Sequence, residues 1–211
     1  MMSDLNQPIL QANGITFQFP QQQVFDNFSV SIPAGITYVI GDESVGKSTL
    51  LRLLAGDLTP LDGDVTINGI SSTKDSSNYR RHVFWKDPRT TEYDQISANN
   101  FFDIQRKFYP NFDETVLADM IQSLSLTEHV SKEIYKLSAG SKRKVWLTAA
   151  FASGAAVTLI DEPFSALDKA SIGYLLDRLN TSAHNKQRAW VIADYEVPQS
   201  LSIILTVNLD V

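Results

Sequence analysis

The chain has 211 residues, of which 43% are hydrophobic and 20% are charged, and its formal net charge is −6. This length suits one α/β domain with a well-buried core and a small insert. The acidic balance gives no electrostatic footprint for nucleic acid, so we expect no nucleic-acid partner. Cysteine is absent, which excludes disulfides and thiolate metal sites.

Neither the N-terminal residues nor the internal sequence predicts a membrane segment. Residues 1–14 have no basic stretch followed by an apolar core, so we expect no signal peptide. The uncharged run at residues 145–160 is shorter than the ~18–20 residues that a spanning helix needs. It also carries Ser153 and Gly154 in its middle, which favours a buried helix end, a turn and a buried strand.

The first half of the chain reads as strands around one helix. Ile15, Phe17 and Phe19 alternate with polar residues, which predicts a half-buried strand. Further strands are predicted at residues 28–33, 37–40, 65–67 and 82–85, and a helix at 47–56. Asn68 and Gly69 predict a hairpin turn.

The second half begins with helix-like segments between residues 97 and 137. A helix at 141–153, a strand at 156–160, a helix at about 169–180 and strands at 189–193 and near 201–209 are predicted next. Strands that alternate with helices predict a largely parallel sheet covered on both faces, so the fold class is α/β.

The stretch GDESVGKST fits the phosphate-binding pattern G-x-x-x-x-G-K-[ST], with a strand before it and a helix after it. Its backbone amides would surround phosphates at a helix N-terminus, Lys47 would reach the β- and γ-phosphates, and Ser48 would ligate Mg²⁺. A chance glycine turn is the alternative, which the order of strand, loop and helix disfavours. The candidate nucleotide-binding residues here are Gly41, Asp42, Glu43, Ser44, Val45, Gly46, Lys47, Ser48 and Thr49.

A pair of acids ends the predicted strand at 156–160. Asp161 could hold Mg²⁺ directly or through water, and Glu162 could polarise an attacking water, because ligands bind at the carboxyl edge of α/β sheets. The alternative is an ordinary strand ending in solvated acids. Upstream, residues 137–140 (LSAG) form a small-residue turn that opens a helix, either as an anion site or as a simple cap.

With GDESVGKST, LSAGS, LIDEP and SALD in this order, the chain resembles the ATP-binding cassette (ABC) ATPases, the motor subunits of ABC transporters. The resemblance implies a P-loop NTPase fold with a mostly parallel sheet, a small antiparallel N-terminal β subdomain and a helical subdomain inserted at about 97–137. It also implies ATP and Mg²⁺ as cofactors. A head-to-tail dimer of cassettes would bury two ATP molecules at its interface.

The resemblance assigns roles residue by residue. Lys47 and Glu162 would be catalytic, Ser48 and Asp161 would hold the metal, and Ser138 and Gly140 would act on the nucleotide of a second cassette. Residues 165–168 would couple the two sites. Phe19 matches an aromatic residue that stacks on adenine, although a core residue of its strand is an equal alternative.

Three positions depart from the family pattern. Ala139 and Ser141 replace residues of the usual signature, and Lys86 stands where a glutamine normally senses Mg²⁺ and water. We favour a solvated loop charge for Lys86, and Gln95 is a possible substitute for the glutamine. Asp194 replaces a histidine at the catalytic switch, and it could contact the γ-phosphate only if protonated or bridged by metal.

The leading hypothesis is a cytoplasmic ATPase subunit, peripheral on the cytoplasmic face of the membrane, that drives a transporter chain spanning the membrane. The altered positions predict intact binding with slow or partner-dependent hydrolysis. One alternative is a regulatory or heterodimer-partner cassette with little activity of its own. Another is a soluble cassette acting on nucleic acid or ribosomes, which the acidic charge disfavours.

Overall fold

A computed structural model describes residues 7–210. Residues 1–6, which belong to the segment 1–14 where we expect no signal peptide, lie outside the described residues. The strands are β1 (Leu10–Phe19), β2 (Gln22–Ile32), β3 (Gly35–Ile40), β4 (Asp62–Ile67), β5 (Ile70–Ser71), β6 (Val83–Phe84), β7 (Val157–Asp161), β8 (Ala189–Ala193) and β9 (Ile203–Asn208). The helices are α1 (Lys47–Leu54), α2 (Ser76–His82), α3 (Ala98–Phe108), α4 (Glu114–Ser123), α5 (Ala139–Ala152) and α6 (Lys169–Ala183). A 3₁₀ turn spans Ile134–Lys136.

The central sheet has the order β6-β7-β8-β3-β9, and all its pairings are parallel, as the sequence predicted. Its strand β8 is buried along its whole length. Trp190 and Ile192 enter one apolar core, whereas Val191 enters a second core on the opposite face. Successive side chains of a strand point to opposite faces, so the continuous apolar runs of β7 and β8 follow from burial on both sides.

The predicted antiparallel subdomain is a second sheet with the order β2-β1-β4-β5. β1 pairs antiparallel with both β2 and β4. The predicted hairpin turn joins β4 and β5, where Asn68 and Gly69 have φ angles of 49° and 81°. Two consecutive positive φ angles are what an Asn-Gly hairpin turn adopts.

The segment at 97–137 contains α3, α4 and the 3₁₀ turn, and it shares a core with α5. Phe101 packs against Trp146 of α5 with ring centroids 4.6 Å apart. Among the aromatic residues of this segment, Phe101, Phe102 and Tyr109 are buried and Phe112 is partly buried, while Phe108 is 39% exposed. α5 itself is buried from Val145 to Ala152, between this segment and the central sheet.

The run at 145–160 forms the end of α5, a turn and β7, as predicted. No helix within residues 7–210 is long and apolar enough to cross a bilayer.

The sequence missed α2, and the strand predicted at 82–85 is shorter than expected. α2 has a polar sequence in which Tyr79 is the one buried residue, so no apolar period marks it. The Tyr79 hydroxyl donates to the carbonyl of Leu54, which anchors α2 on α1. Because α2 continues to His82, only Val83 and Phe84 pair with β7.

Candidate nucleotide-binding site

The phosphate loop, residues 41–48, connects β3 to α1 at the carboxyl edge of the central sheet. Gly46 precedes α1 with a φ of 107°, and no side chain caps the helix. A Cβ on Gly46 would lie 2.8 Å from Cγ1 of Val24, so both the backbone conformation and the close packing require glycine. The uncapped N-terminus leaves backbone amides available to an anion.

Lys47 is held inside the loop and is only 7% exposed. Its ammonium donates to the carbonyls of Gly41 at 2.6 Å and of Asp42 at 2.7 Å. The ring of Tyr195 also covers the ammonium, with its centroid 4.0 Å from Nζ. The lysine is therefore placed beside the loop amides before any ligand arrives.

The two acids at the end of β7 adopt different environments. Asp161 is buried and accepts a hydrogen bond of 2.5 Å from the Ser48 hydroxyl, which joins the predicted metal ligands. Burial raises the pKa of the Asp161 carboxyl, and the Ser48 hydrogen bond opposes that shift. Glu162 is partly exposed with a φ of 47°, and its amide donates to the carbonyl of Ala193 at 2.8 Å. Left-handed backbone at a non-glycine residue is typical of functional sites.

The oxygen donors suit Mg²⁺, although the chain alone does not complete its coordination shell. Within residues 7–210, no group of three or more His, Asp or Glu side chains is placed to hold a metal ion. Mg²⁺ ordinarily takes one or two protein oxygens and fills its remaining positions with water and phosphate oxygens. The juxtaposed Ser48 hydroxyl and Asp161 carboxylate fit that role.

A cavity of about 170 Å³ opens above the loop and contains part of the predicted site. It is lined by Phe19, Gln22, Val24, Ser44, Gly46, Lys47, Ser48, Thr49, Asp161, Glu162 and Tyr195. Phe19 is 39% exposed there, so the alternative that it is a core residue of its strand is wrong. The predicted loop residues Gly41, Asp42, Glu43 and Val45 lie outside this lining, and the Asp42 amide donates to the carboxylate of Asp210.

Ser138 and Gly140 do not line this cavity; they lie at the start of α5. The Ser138 hydroxyl accepts a hydrogen bond of 3.1 Å from the Ser141 amide and so caps the helix. A Cβ on Gly140 would lie 2.5 Å from the carbonyl oxygen of Ala166. Lys144 also binds Asp168 at 2.8 Å, so the signature segment (residues 137–141) and the coupling loop (residues 165–168) are packed together.

The interpretation of Lys86 as a solvated charge is wrong. Lys86 is partly buried and donates to the Tyr93 hydroxyl at 3.0 Å, and burial lowers its pKa. The sequence could not reveal this, because Tyr93 returns to Lys86 only through the fold of the intervening loop. Gln95, the possible substitute for the missing glutamine, is exposed and does not line the cavity.

Asp194 lies directly after β8, beside the cavity, and is partly exposed. Burial raises the pKa of its carboxyl, and the negative charges of Glu162 and Asp161 raise it further. Protonation, one of the two conditions for Asp194 to meet a phosphate, is therefore favoured relative to a free aspartate. Its neighbour Tyr195 is the residue of this segment that lines the cavity.

Sequence reasoning missed two cavity neighbours. Tyr195 follows the switch position, but nothing local in the sequence indicates its contact with Lys47. Arg143 of α5 donates to the Asp161 carbonyl at 2.7 Å, which ties the helix of the signature segment to the carboxylate edge. Its position in the basic run SKRK is typical of a solvated helix face.

A larger cleft of about 900 Å³ lies at the opposite edge of the sheet. Its lining includes Ala156 and Arg188, which directly precede β7 and β8, so it lies at the amino ends of these strands. The cavity above the phosphate loop remains the candidate site, because it alone of the two contains the phosphate loop and the carboxylates.

Comparison with known proteins agrees with this geometry. A model of the family described as ABC transporter matches residues 25–165, which is more than half of the chain. The chain belongs to the ABC transporter family.

Relatives in this family have roles in both export and import. The chain is 30% identical over 178 residues to the cytochrome c biogenesis ATP-binding export protein CcmA of Idiomarina loihiensis, covering 84% of this chain and 81% of that protein. It is 29% identical to the taurine import ATP-binding protein TauB of Pseudomonas syringae pv. tomato, covering 76% of this chain and 62% of that protein. Both relatives are described as ATP-binding proteins.

The fold also matches solved ABC structures. A structure described as the ATP binding subunit of an ABC transporter superimposes with a TM-score of 0.80 at 22% identity, covering 89% of this chain and 79% of that one. At this identity the likeness concerns the fold, which is that of a P-loop NTPase.

Proposed function

We propose that this ATP-binding subunit hydrolyses MgATP in a head-to-tail dimer of cassettes and thereby drives a separate membrane-spanning chain. The observation that carries the proposal is the convergence of Lys47, Ser48, Asp161 and Glu162 on one cavity beside an uncapped helix N-terminus. Phosphoryl transfer to water depends chiefly on positioning and charge stabilisation, which these groups supply.

The residues divide the chemistry among them. Lys47 and the loop amides would neutralise the phosphates, and Phe19, exposed at the cavity edge, would stack on adenine. Bound Mg²⁺, held by Ser48 and Asp161, would stabilise charge on the phosphate oxygens. Glu162 would orient and polarise the attacking water.

Dimerisation is supported by the location of the signature segment. Ser138 and Ala139 are exposed at the start of α5 and outside the chain's own cavity, so this helix N-terminus can meet a nucleotide only on another cassette. The membrane partner is supported by the relatives, which are described as export and import ATP-binding proteins. The relatives differ in direction, so the direction and the substrate of transport are left open.

A second candidate is a cassette that binds nucleotide but depends on a different cassette for turnover. The observations that favour it are the altered switch and the altered glutamine position. Asp194 brings a third carboxyl group near Asp161 and Glu162, and Lys86 is engaged with Tyr93. Both changes would alter groups that position water or the γ-phosphate, while Lys47, Ser48 and Asp161 are retained.

The first experiment is steady-state MgATP hydrolysis at several protein concentrations, with Glu162→Gln and the matched control Glu128→Gln. Glu128 is exposed in the loop after α4. We expect specific activity to rise with concentration and to fall by about 10²–10³-fold in Glu162→Gln alone. Wild-type activity at the level of Glu162→Gln throughout would overturn autonomous hydrolysis and leave the second candidate.

Size-exclusion chromatography of Glu162→Gln with MgATP tests self-pairing. Blocked turnover should retain ATP, so the variant should elute as a dimer that wild type does not maintain. A monomeric profile at every concentration would contradict a homodimer and would favour pairing with a different cassette.

A further inference from the structure

An aromatic ring lies against the ammonium of Lys47, the lysine expected to bind phosphate. This ring belongs to Tyr195, and we call it the cover. The Lys47 ammonium has three N–H donors, and the carbonyls of Gly41 and Asp42 accept two of them at 2.6 and 2.7 Å. The ring of Tyr195 occupies a further side, with its centroid 4.0 Å from Nζ. In this arrangement the whole ammonium is engaged by groups of its own chain.

The ring of Tyr195 lies on the side of the ammonium that faces the cavity. Tyr195 lines the same cavity as Lys47, Ser48 and Glu162, whereas the two carbonyls belong to the phosphate loop itself. Tyr195 is also 51% exposed, so its ring can move into solvent without breaking a packed core. The backbone beneath the ring is better fixed, because the Asp194 amide donates to the carbonyl of Val39 in β3.

Charge and geometry make the ring a competitor of phosphate. A cation over an aromatic face is attracted by the ring quadrupole, and this attraction is lost when the ring moves away. Lys47 is expected to meet the β- and γ-phosphates of a nucleotide and not the α-phosphate. A ligand with terminal phosphates must therefore displace the ring, whereas a monophosphate need not.

We propose that Tyr195 competes with the terminal phosphates for Lys47 and thereby lowers the affinity of this site for nucleoside di- and triphosphates. This inference rests on the nucleotide binding in the proposed function and does not depend on hydrolysis, dimerisation or a membrane partner. It gives the segment after β8 a role in setting the nucleotide concentration at which the site fills.

Isothermal titration with MgATP, ADP and AMP tests the cover in wild type, Tyr195→Leu, Tyr195→Phe and Tyr195→Trp. Leucine keeps bulk but removes the ring, so we expect MgATP and ADP to bind roughly two- to thirtyfold more tightly, with the affinity for AMP unchanged. Phenylalanine keeps the low affinity, and tryptophan, the strongest cation-binding ring, lowers it further.

Tyr135→Leu is the matched control. Tyr135 is 50% exposed and lies beside the ammonium of Lys136, with its ring centroid 5.4 Å from Nζ, but it belongs to the 3₁₀ turn before α5. We expect wild-type affinities from this variant. An equal gain in Tyr135→Leu would show a nonspecific effect and overturn the proposal.

Four further results would overturn the cover. Weaker MgATP binding in Tyr195→Leu would mean that the ring contacts the nucleotide favourably. Equal gains in the leucine and phenylalanine variants would assign the effect to the hydroxyl. Failure of wild type and every variant to bind any nucleotide would overturn nucleotide binding as well, whereas normal binding with no effect of residue 195 would overturn the cover alone.

Discussion

The helices α1 and α5 both begin at sites expected to meet phosphate, but their N-termini are built differently. α1 begins at a buried lysine, after a left-handed glycine and with no side-chain cap. α5 begins at an exposed alanine, and the Ser138 hydroxyl accepts a hydrogen bond from the Ser141 amide. The N-terminus of α1 is enclosed by the protein, but its backbone amides are left for a ligand. The N-terminus of α5 is exposed, and a side chain already caps it.

From this difference we expect the N-terminus of α1 to determine nucleotide affinity and the N-terminus of α5 to act in assembly with a second cassette. The enclosed N-terminus of α1 has a lysine, a hydroxyl and two carboxylates around it, so it can bind nucleotide within one chain. Among residues 7–210, no comparable set of groups surrounds the exposed N-terminus of α5, so we expect it to act against a second surface. Substitutions at α1 should therefore affect binding, and substitutions at α5 should affect turnover.

Lys47→Ala should have the largest effect. Removing the ammonium leaves the phosphates without their cation, so the affinity for MgATP should fall by at least about a hundredfold and hydrolysis should be lost. Titration with MgATP measures this. Lys74→Ala, at an exposed lysine, is the control and should bind as wild type. An equal loss of MgATP affinity in the two variants would contradict a specific role of the α1 N-terminus in nucleotide binding.

Gly140→Ala should come next, because a Cβ there would lie 2.5 Å from the Ala166 carbonyl oxygen. Backbone must move to accommodate it, so we expect a loss of about 1–3 kcal/mol in the free energy of unfolding. Turnover should fall while nucleotide binding by the monomer persists. Denaturant melts and the titration separate the two effects.

Gly173→Ala is the matched control for that substitution. Gly173 lies within α6, and no atom of the described residues 7–210 outside the neighbouring helix backbone lies within 4 Å of the position that a Cβ would take. Alanine should therefore stabilise the protein by about 0.5–1 kcal/mol through helix propensity. Destabilisation by both alanines would show that glycine-to-alanine changes in these helices say nothing about the packing of the coupling loop.

Ser138→Ala should have a smaller effect on stability. Ser97→Ala is its control, because it removes a comparable helix cap away from the signature segment. Each serine caps a helix: Ser138 accepts from the Ser141 amide, and Ser97 accepts from the Asn100 amide. Both variants should lose about 1 kcal/mol in the free energy of unfolding. Only Ser138→Ala should also lower turnover, measured at a protein concentration where the dimer forms. Similar turnover in both variants would mean that Ser138 acts only as a helix cap and has no part in turnover.

Asp194→Asn should give the smallest change, seen as a pH dependence. The folded state raises the pKa of this carboxyl through burial and through Glu162 and Asp161, so its charge destabilises the protein at neutral pH. Protonation relieves that cost as the pH falls through the raised pKa. Asparagine should therefore increase the Tm at pH 7. The gain in the free energy of unfolding should stay below about 1 kcal/mol, because the carboxyl is partly exposed and screened by solvent.

The advantage of Asp194→Asn should shrink as the solution is acidified towards the ordinary pKa of aspartate. Paired thermal melts across that range measure it. A difference in Tm that stays constant with pH would assign the effect to something other than the charge. It would also leave the third carboxyl without influence on the site.

The sequence predicted the parts of the site that depend on local pattern. The phosphate loop, the acids after β7 and the buried strands have signatures a few residues long, and the structure contains the predicted strand, loop and helix around them. What failed depends on contacts that a local sequence pattern does not specify. The burial of Lys86 needs the fold that brings Tyr93 to it, and the cover on Lys47 needs β8 to pair beside β3.

Helix α2 was missed for a different physical reason. One tyrosine buries its side chain and the rest of the helix is polar, so the sequence has no apolar period from which to predict it. The roles of Ser138 and Gly140 in a second cassette remain predictions, because they concern a surface outside the chain. Local sequence cannot distinguish an anion site from a capped helix there.

The long burial of α5 has a mechanical consequence. With 14 residues, the helix is about 21 Å long, and its second half is enclosed by α3, α4 and the central sheet. Because close-packed interiors transmit strain, we expect a displacement of its exposed first turn to move the helix as one unit. Gly154, just beyond its end, packs so closely on Asn111 that no methyl group would fit. We therefore expect a displacement of the signature segment to reach the connection between α3 and α4, where Asn111 contacts Gly154.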